Sequence, residues 1–87
     1  MRAIVIKPGQ ARPLIWNFDS VEALRAAVDG EPELGWYKSY AVLSSADPHA
    51  TPNRTLDGHT FCGTIIITAA YGLGLAEAMA LRDDCAA

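Results

Sequence analysis

The sequence has little of what membrane-spanning, exported or disulfide-stabilised proteins need. The apolar run near its start covers only residues 3–6, and the longest later run is interrupted by Thr68 and Gly72. Both runs are far shorter than the roughly 20 residues of a spanning helix, and the first is too short for a signal peptide. The two cysteines, Cys62 and Cys85, form no CxxC pair. Reduced thiols and a cytoplasmic protein are therefore expected.

Excess charge of one sign is also scarce, with seven basic residues against ten acidic ones and a net charge of −3. General binding to nucleic acid requires a basic face that releases counterions. Nucleic acid is therefore not an expected partner. A membrane is not expected either, since the apolar runs are too short to span one. The acidic residues are too scattered to mimic DNA, and their two concentrations, at 29–33 and 83–84, are typical of solvated surface.

Hydrophobic residues, by contrast, make up 51% of the chain, which excludes disorder and can fill one core. We expect a single domain over residues 1–87, with 82–87 as a frayed tail. A chain of this length buries about 60–65% of the surface that its unfolded state exposes, so its stability is marginal. Self-association would improve that balance, and a homodimer is one expected state.

The pattern of apolar residues and turns predicts a small α+β domain with a mainly antiparallel sheet. The predicted order is β-β-α-β-β-α, with one helix packed on one face of the sheet. Prolines, glycines and an Asp-Gly pair mark the connections. The strands are predicted at 2–7, 13–18, 36–44 and 60–71, the helices at 19–30 and 75–82, and a polar connection at 45–59.

The first two strands have distinct patterns. The first is apolar on both faces at its centre, as in a strand covered on both sides. In the second, Leu14, Trp16 and Phe18 alternate with Ile15 and Asn17. The two strands are expected to form a hairpin.

Both helices have predicted caps or inward faces. Asp19 is expected to cap the first helix, with Glu22 three residues later, and Gly30 to end it. The residues expected to face the sheet are Val21, Leu24 and Val28 in the first helix and Leu75, Ala78 and Met79 in the second. In the strand 60–71, Gly63 is expected to mark a bulge or a close backbone approach.

Few residues suit catalysis. A Ser or Cys nucleophile needs a neighbouring base, and the available pair is Cys62 with His59. Residues three apart on a strand point to opposite faces, so Cys62 is expected to be a small buried hydrophobe. Two histidines and two distant cysteines also make a poor zinc site. The sequence predicts no cofactor and no metal, and an enzyme using Cys62 and His59 is a third alternative.

An aromatic group in the predicted strand 36–44 is a candidate binding surface. Trp36 and Tyr40 would share one face of that strand and Tyr37 would take the other. If the outer face is uncovered, its aromatic side chains form a surface suited to a partner or a second copy. The alternative is that all three lie in the core.

A second candidate is the polar segment around Asn53 and Arg54. Arg54 offers a planar fork for a carboxylate or phosphate, and Asn53 can hold a turn through its own backbone. The structural alternative is that Arg54 braces the loop against an acid such as Asp19 or Asp57. A nucleotide-like anion would be contacted by Asn53, Arg54, His49 and Lys38.

The order of several motifs resembles a family of small domains of unknown function from bacteriophages, plasmids and actinobacteria. The motifs are M-R-A-I-V-I-K-P-G, S-V-E-A-L-R-A-A-V-D-G, T-P-N-R-T-L and C-G-T-I-I-I, within residues 1–70. The resemblance implies an α+β fold and a phage or mobile-element origin, but no activity. Asn53, Arg54, Gly63 and Thr64 match its pattern, whereas the aromatic run 36–40 and the alanine-rich end depart from it.

The leading functional hypothesis is a non-enzymatic accessory protein that binds a host macromolecule or itself. Proteins of this kind often block a host defence or metabolic factor, an inference that rests on the resemblance. The alternative is a small-ligand binder that sequesters a nucleotide signal. These hypotheses name the residues Trp36, Tyr40, Asn53, Arg54, His49 and Lys38 as the binding candidates.

Overall fold

The computed structural model describes residues 1–86, which form seven strands and two helices. These elements are β1 (Arg2–Ile6), β2 (Leu14–Asn17), α1 (Val21–Ala26), β3 (Pro32–Tyr37), β4 (Tyr40–Ser45), β5 (Pro52–Leu56), β6 (His59–Cys62), β7 (Ile65–Thr68) and α2 (Leu75–Asp84). Five strands form an antiparallel sheet in the order β2-β1-β7-β4-β3, and β5 and β6 form a separate hairpin. The predicted α+β class with a mainly antiparallel sheet is confirmed.

The centre of the sheet is apolar on both faces, as the run in β1 predicts. β1 pairs with β2 on one side and with β7 on the other. Its residues alternate between two cores, because successive side chains of a strand point to opposite faces. Ile4 and Ile6 pack beneath α2, whereas Ala3 and Val5 pack beneath α1.

The larger core lies on the face covered by α2 and the β5–β6 hairpin. Ala78, Leu81 and Cys85 bring α2 into this core. The hairpin contributes Leu56 and Phe61. The hairpin therefore acts as a second cover beside α2, and its connection to β4 fixes the position of the polar loop between them.

In residues 1–86, the opposite face is covered by the six residues of α1 and the turn that follows it. Leu24 and Val28 are buried against Ala3, Val5 and Ile66. Val21, which was predicted to face the sheet, is exposed instead. A helix of this length shields the middle of a five-stranded sheet and leaves both flanks open.

The cap of α1 is Ser20 and not Asp19. The Ser20 hydroxyl accepts a hydrogen bond of 3.0 Å from the Ala23 amide, as an N-cap side chain does. We expect Ser20→Ala to lower the free energy of unfolding by about 1 kcal/mol, measured by urea denaturation. Asp19→Ala is the matched control and should change it little. Equal losses in the two variants would contradict this assignment.

Two long predicted strands are each broken into two. The segment 36–44 turns at Lys38, whose φ is 55°, so Tyr37 pairs with Tyr40 across a hairpin. The segment 60–71 is divided at Gly63, whose φ is 69°. A Cβ on Gly63 would lie 3.0 Å from the Cβ of Ser45, which confirms the predicted close approach. The segment 45–59 was predicted to be a loop throughout. This is wrong, because the segment contains β5.

The end of the chain also differs from the prediction. α2 continues to Asp84, and Cys85 is buried in the core, so residues 82–85 are not frayed; Ala87 lies outside the described residues. Ala78 faces inward as predicted, whereas Leu75 and Met79 are exposed. The helical phase is instead set by Ala78, Leu81 and Cys85, at spacings of three and four residues.

Candidate functional site

The six predicted binding residues do not come together. Asn53 and Arg54 lie beneath the β1–β2 loop, and Lys38 and Tyr40 contact α2. His49 lines a polar cleft, and Trp36 lies on the face that α1 covers. The prediction that Trp36 and Tyr40 share a face is wrong, because the turn at Lys38 lies between them. Tyr40 is the cross-strand partner of Tyr37, and Trp36 is that of Ala41.

Asn53 links three parts of the fold. Its side-chain nitrogen donates to the carbonyls of Ile6 and Gly63, each at 2.8 Å. The first bond holds the end of β1, and the second holds the break between β6 and β7. This differs from the prediction that Asn53 bonds its own backbone, and it uses both donors of the amide.

Arg54 braces the fold, although through carbonyls and not through an acid. Its Nε donates to Cys85 at the C-terminal end of α2, at 3.0 Å. One terminal nitrogen donates to Gln10 and Ala11, each at 2.7 Å, and the other contacts Asn53. A cation at the end of a helix also opposes its dipole. The N–H groups of the guanidinium thus donate to oxygen atoms of the protein itself.

Lys38 and Tyr40 fasten the β3–β4 turn to α2. The Tyr40 hydroxyl donates to Glu77 at 3.1 Å, and this hydrogen bond raises the pKa of Tyr40. Lys38 lies 3.3 Å from Asp84, and their hydrogen bond raises the pKa of Lys38. Both contacts are at the surface, where ion pairs contribute little to stability.

The cleft that contains His49 has a volume of about 270 Å³ and an acidic lining. Asp29 and Asp47 are its two carboxylates, and Asp29 accepts a hydrogen bond of 3.0 Å from Thr64. Asp47 accepts another of 2.9 Å from the His49 amide. Two carboxylates disfavour an anionic ligand. Among residues 1–86, no three His, Cys, Asp or Glu side chains form a metal-binding group.

The pair suggested for catalysis is separated. His59 and Cys62 occupy the two ends of β6, where their side chains point to opposite sides of the strand. His59 instead lies edge-on to Phe61, with ring centroids 4.5 Å apart. Burial raises the pKa of the Cys85 thiol, which disfavours the nucleophilic thiolate.

Large apolar side chains are exposed on both flanks of α1. The β1–β2 and β3–β4 registers place Leu14, Trp16, Leu34 and Trp36 on the same face of the sheet as α1. Trp16 is 58% exposed, Leu34 59% and Trp36 64%. Single exposed apolar residues are common, but on each flank a tryptophan lies beside a leucine on the same face, a combination typical of interaction surfaces.

On the β2 side, these residues form a groove. It has a volume of about 210 Å³ and lies between β2 and the end of α1. Its lining residues are Val5, Lys7, Leu14, Trp16, Phe18 and Ala27, and we call it the β2–α1 groove. Lys7 is its only charged lining residue, and within residues 1–86 it makes no ion pair.

The sequence contains a signal for this groove, although none of the lining residues is among the predicted binding residues. Leu14, Trp16 and Phe18 alternate with Ile15 and Asn17, so the first three share a face. The pattern marks that face as apolar but does not say how far a helix covers it. The length of α1 decides the exposure.

No family profile, curated protein or solved structure matches this chain. The family resemblance and the origin that it implies therefore stay predictions. In residues 1–86, neither helix is long and apolar enough to cross a membrane.

Proposed function

We propose that this protein is a non-enzymatic binding module whose β2–α1 groove receives an apolar side chain of a partner protein. The observation that carries the proposal is the exposed Trp16 beside an open apolar groove with a single basic residue. Aromatic residues beside well-formed pockets supply most of the binding energy in many interfaces.

The groove volume favours a side chain over a larger ligand. A cavity of about 150 Å³ holds a benzene ring, and drug-sized ligands occupy about 300–1,000 Å³. At about 210 Å³, the groove accommodates one aromatic or branched aliphatic side chain. A nucleotide also needs anion contacts, and Arg54 already donates to protein carbonyls.

Lys7 defines the polar part of the partner. Lys7 lines the groove together with five apolar residues, in a chain of net charge −3. A partner carboxylate next to the apolar anchor would be attracted by Lys7, which makes no ion pair within residues 1–86. The partner is therefore a segment with an aromatic or aliphatic anchor next to Asp or Glu. The family resemblance favours a host protein in the cytoplasm, such as a defence factor, as its source.

A displayed library of random peptides tests this proposal. We expect the selected peptides to contain an aromatic or branched residue within a few positions of Asp or Glu. Their binding should fall at least tenfold in Trp16→Glu, because the new carboxylate lies beside the groove. Binding should also weaken in Lys7→Glu and recover when the peptide acid is replaced by lysine.

Trp36→Glu is the matched control, since it places the same charge at an equally exposed tryptophan on the other flank. A monovalent peptide should bind it as it binds the wild type. Failure to select any peptide would contradict the proposal. So would selected peptides that bind Trp16→Glu and the wild type equally well.

A further inference from the structure

The edge of the sheet formed by β3 has unpaired backbone groups. Tyr37 and Tyr40 flank a two-residue turn, a position that exchanges both hydrogen bonds in such hairpins. The Ala46 amide donates to Glu31 at 2.8 Å, which fixes the same alternation at the other end. Leu34 and Trp36 then fall at the intervening positions, so their N–H and C=O groups point away from β4.

This edge has few of the features that keep edge strands apart. Such features are short length, charges, prolines and a covering element. β3 has six residues, with Pro32 at its start and Glu33 as its only charge. The opposite edge, β2, has four residues and follows a proline. In the described part of the chain, no further strand pairs with β3.

We propose that a second copy of this chain pairs with β3 in antiparallel orientation, about a two-fold axis through Gly35. In this register, Leu34 lies opposite the partner's Trp36, and Trp36 lies opposite the partner's Leu34. Each of these two pairs exchanges two backbone hydrogen bonds through the groups that are otherwise free. The dimer has one continuous sheet of ten strands, and the contact is isologous and closed.

The side chains agree with this register. Leu34 and Trp36 lie on the same face, so each leucine meets a tryptophan and the two tryptophans are diagonal neighbours. Glu33 lies opposite the partner's Tyr37, so no two like charges face each other across the paired strands. Gly35 meets its own copy at the closest position of the ladder, where the absence of a side chain causes no clash.

The intrachain environment explains glycine at position 35. A Cβ on Gly35 would lie 3.0 Å from the Phe61 ring, so Phe61 of the same chain fills this position on the α2 side. The opposite, α1-side surface at the axis is left to the four side chains of Leu34 and Trp36.

The area indicates a reversible dimer. A tryptophan and a leucine, each more than half exposed, contribute about 250 Å² per copy when they are covered. The edge backbone and the flanking residues bring the total buried area close to the roughly 1,000 Å² that is the lower limit for specific interfaces. We therefore expect a dissociation constant on the order of micromolar.

A two-fold axis perpendicular to the sheet places both α1 helices on the same side. If the proposed function holds, the two β2–α1 grooves lie at the outer ends of one surface. A partner with two binding segments would then be held by both, with a gain in avidity. The dimer itself does not depend on the function of the groove.

Sedimentation equilibrium over a range of concentrations tests the dimer. The wild type should shift from monomer to dimer across the micromolar range, whereas Trp36→Glu should stay monomeric at concentrations at least 100-fold higher. Trp16→Glu is the matched control and should dimerise as the wild type does. Circular dichroism should show both variants folded, because both tryptophans are exposed.

Amide hydrogen exchange identifies the contact. The amides of Leu34 and Trp36 should exchange at least tenfold more slowly as the concentration rises, and the Ile15 amide on the free side of β2 should not change. A monomeric wild type at millimolar concentration would overturn the proposal. So would a dimer that survives Trp36→Glu or leaves the Leu34 amide unprotected. Peptide binding lost in Trp16→Glu with the dimer intact separates the two proposals.

Discussion

Phe61→Ala is expected to lower the free energy of unfolding by about 3–5 kcal/mol, the usual loss for a buried phenylalanine. Phe61 is 3% exposed, and its ring lies against Gly35 of β3. Together with Leu56, it brings the β5–β6 hairpin into the core beside α2. A domain of this size has about 4–13 kcal/mol of stability, so the loss would unfold much of the protein at 37 °C.

Urea denaturation followed by far-ultraviolet circular dichroism measures this effect. Tyr71→Ala is the control, since Tyr71 is 99% exposed and its truncation removes no packing. We expect a change below about 0.5 kcal/mol for the control. A loss below about 1 kcal/mol for Phe61→Ala would show that the hairpin does not form part of the core.

Arg54→Ala is expected to cost about 2–3 kcal/mol, because several charge-assisted hydrogen bonds are lost at once. The bonds join the end of α2 to the loop between β1 and β2. Arg54→Lys should recover only part of the loss, because an ammonium cannot span the same carbonyls.

Arg25→Ala serves as the comparison for Arg54→Ala, since Arg25 is exposed on α1 and should be nearly neutral. The same denaturation measurement distinguishes bracing from ligand contact. A ligand-binding arginine would leave stability nearly unchanged when it is removed. Wild-type stability in Arg54→Ala would therefore contradict the structural role.

Turn chemistry explains where the predicted strands went wrong. The Asp57-Gly58 pair lies between two short β-rich segments, a pattern that favours a tight hairpin, and both residues have positive φ. It was interpreted as part of a long loop, so β5 was missed. Lys38 adopts a φ of 55° without any residue typical of that conformation, and nothing local in the sequence indicates it.

The candidate site was predicted only in part. Trp36 was predicted to belong to an aromatic surface and is exposed, but its expected neighbour Tyr40 lies on the other face. Trp16 was recognised only as part of an alternating strand. Periodicity shows which residues share a face, but exposure depends on which elements cover that face.

The role of Arg54 shows the same limit. A guanidinium near a turn suits either a ligand or a brace, and its chemistry is the same in both cases. The decision comes from the position of carbonyls from residues 10, 11 and 85. These residues are distant along the chain, so their convergence is a property of the tertiary structure.

The sequence by itself determined the α+β class, the antiparallel pairing of β1 with β2 and the two-sided burial of β1, because these follow from local alternation and turn residues. Only the tertiary structure decided that α1 leaves Trp16 and Trp36 exposed, that β3 is a free edge and that Asn53 and Arg54 brace the fold. The physical reason is that coverage and convergence depend on contacts between segments far apart in the chain, which no local pattern specifies.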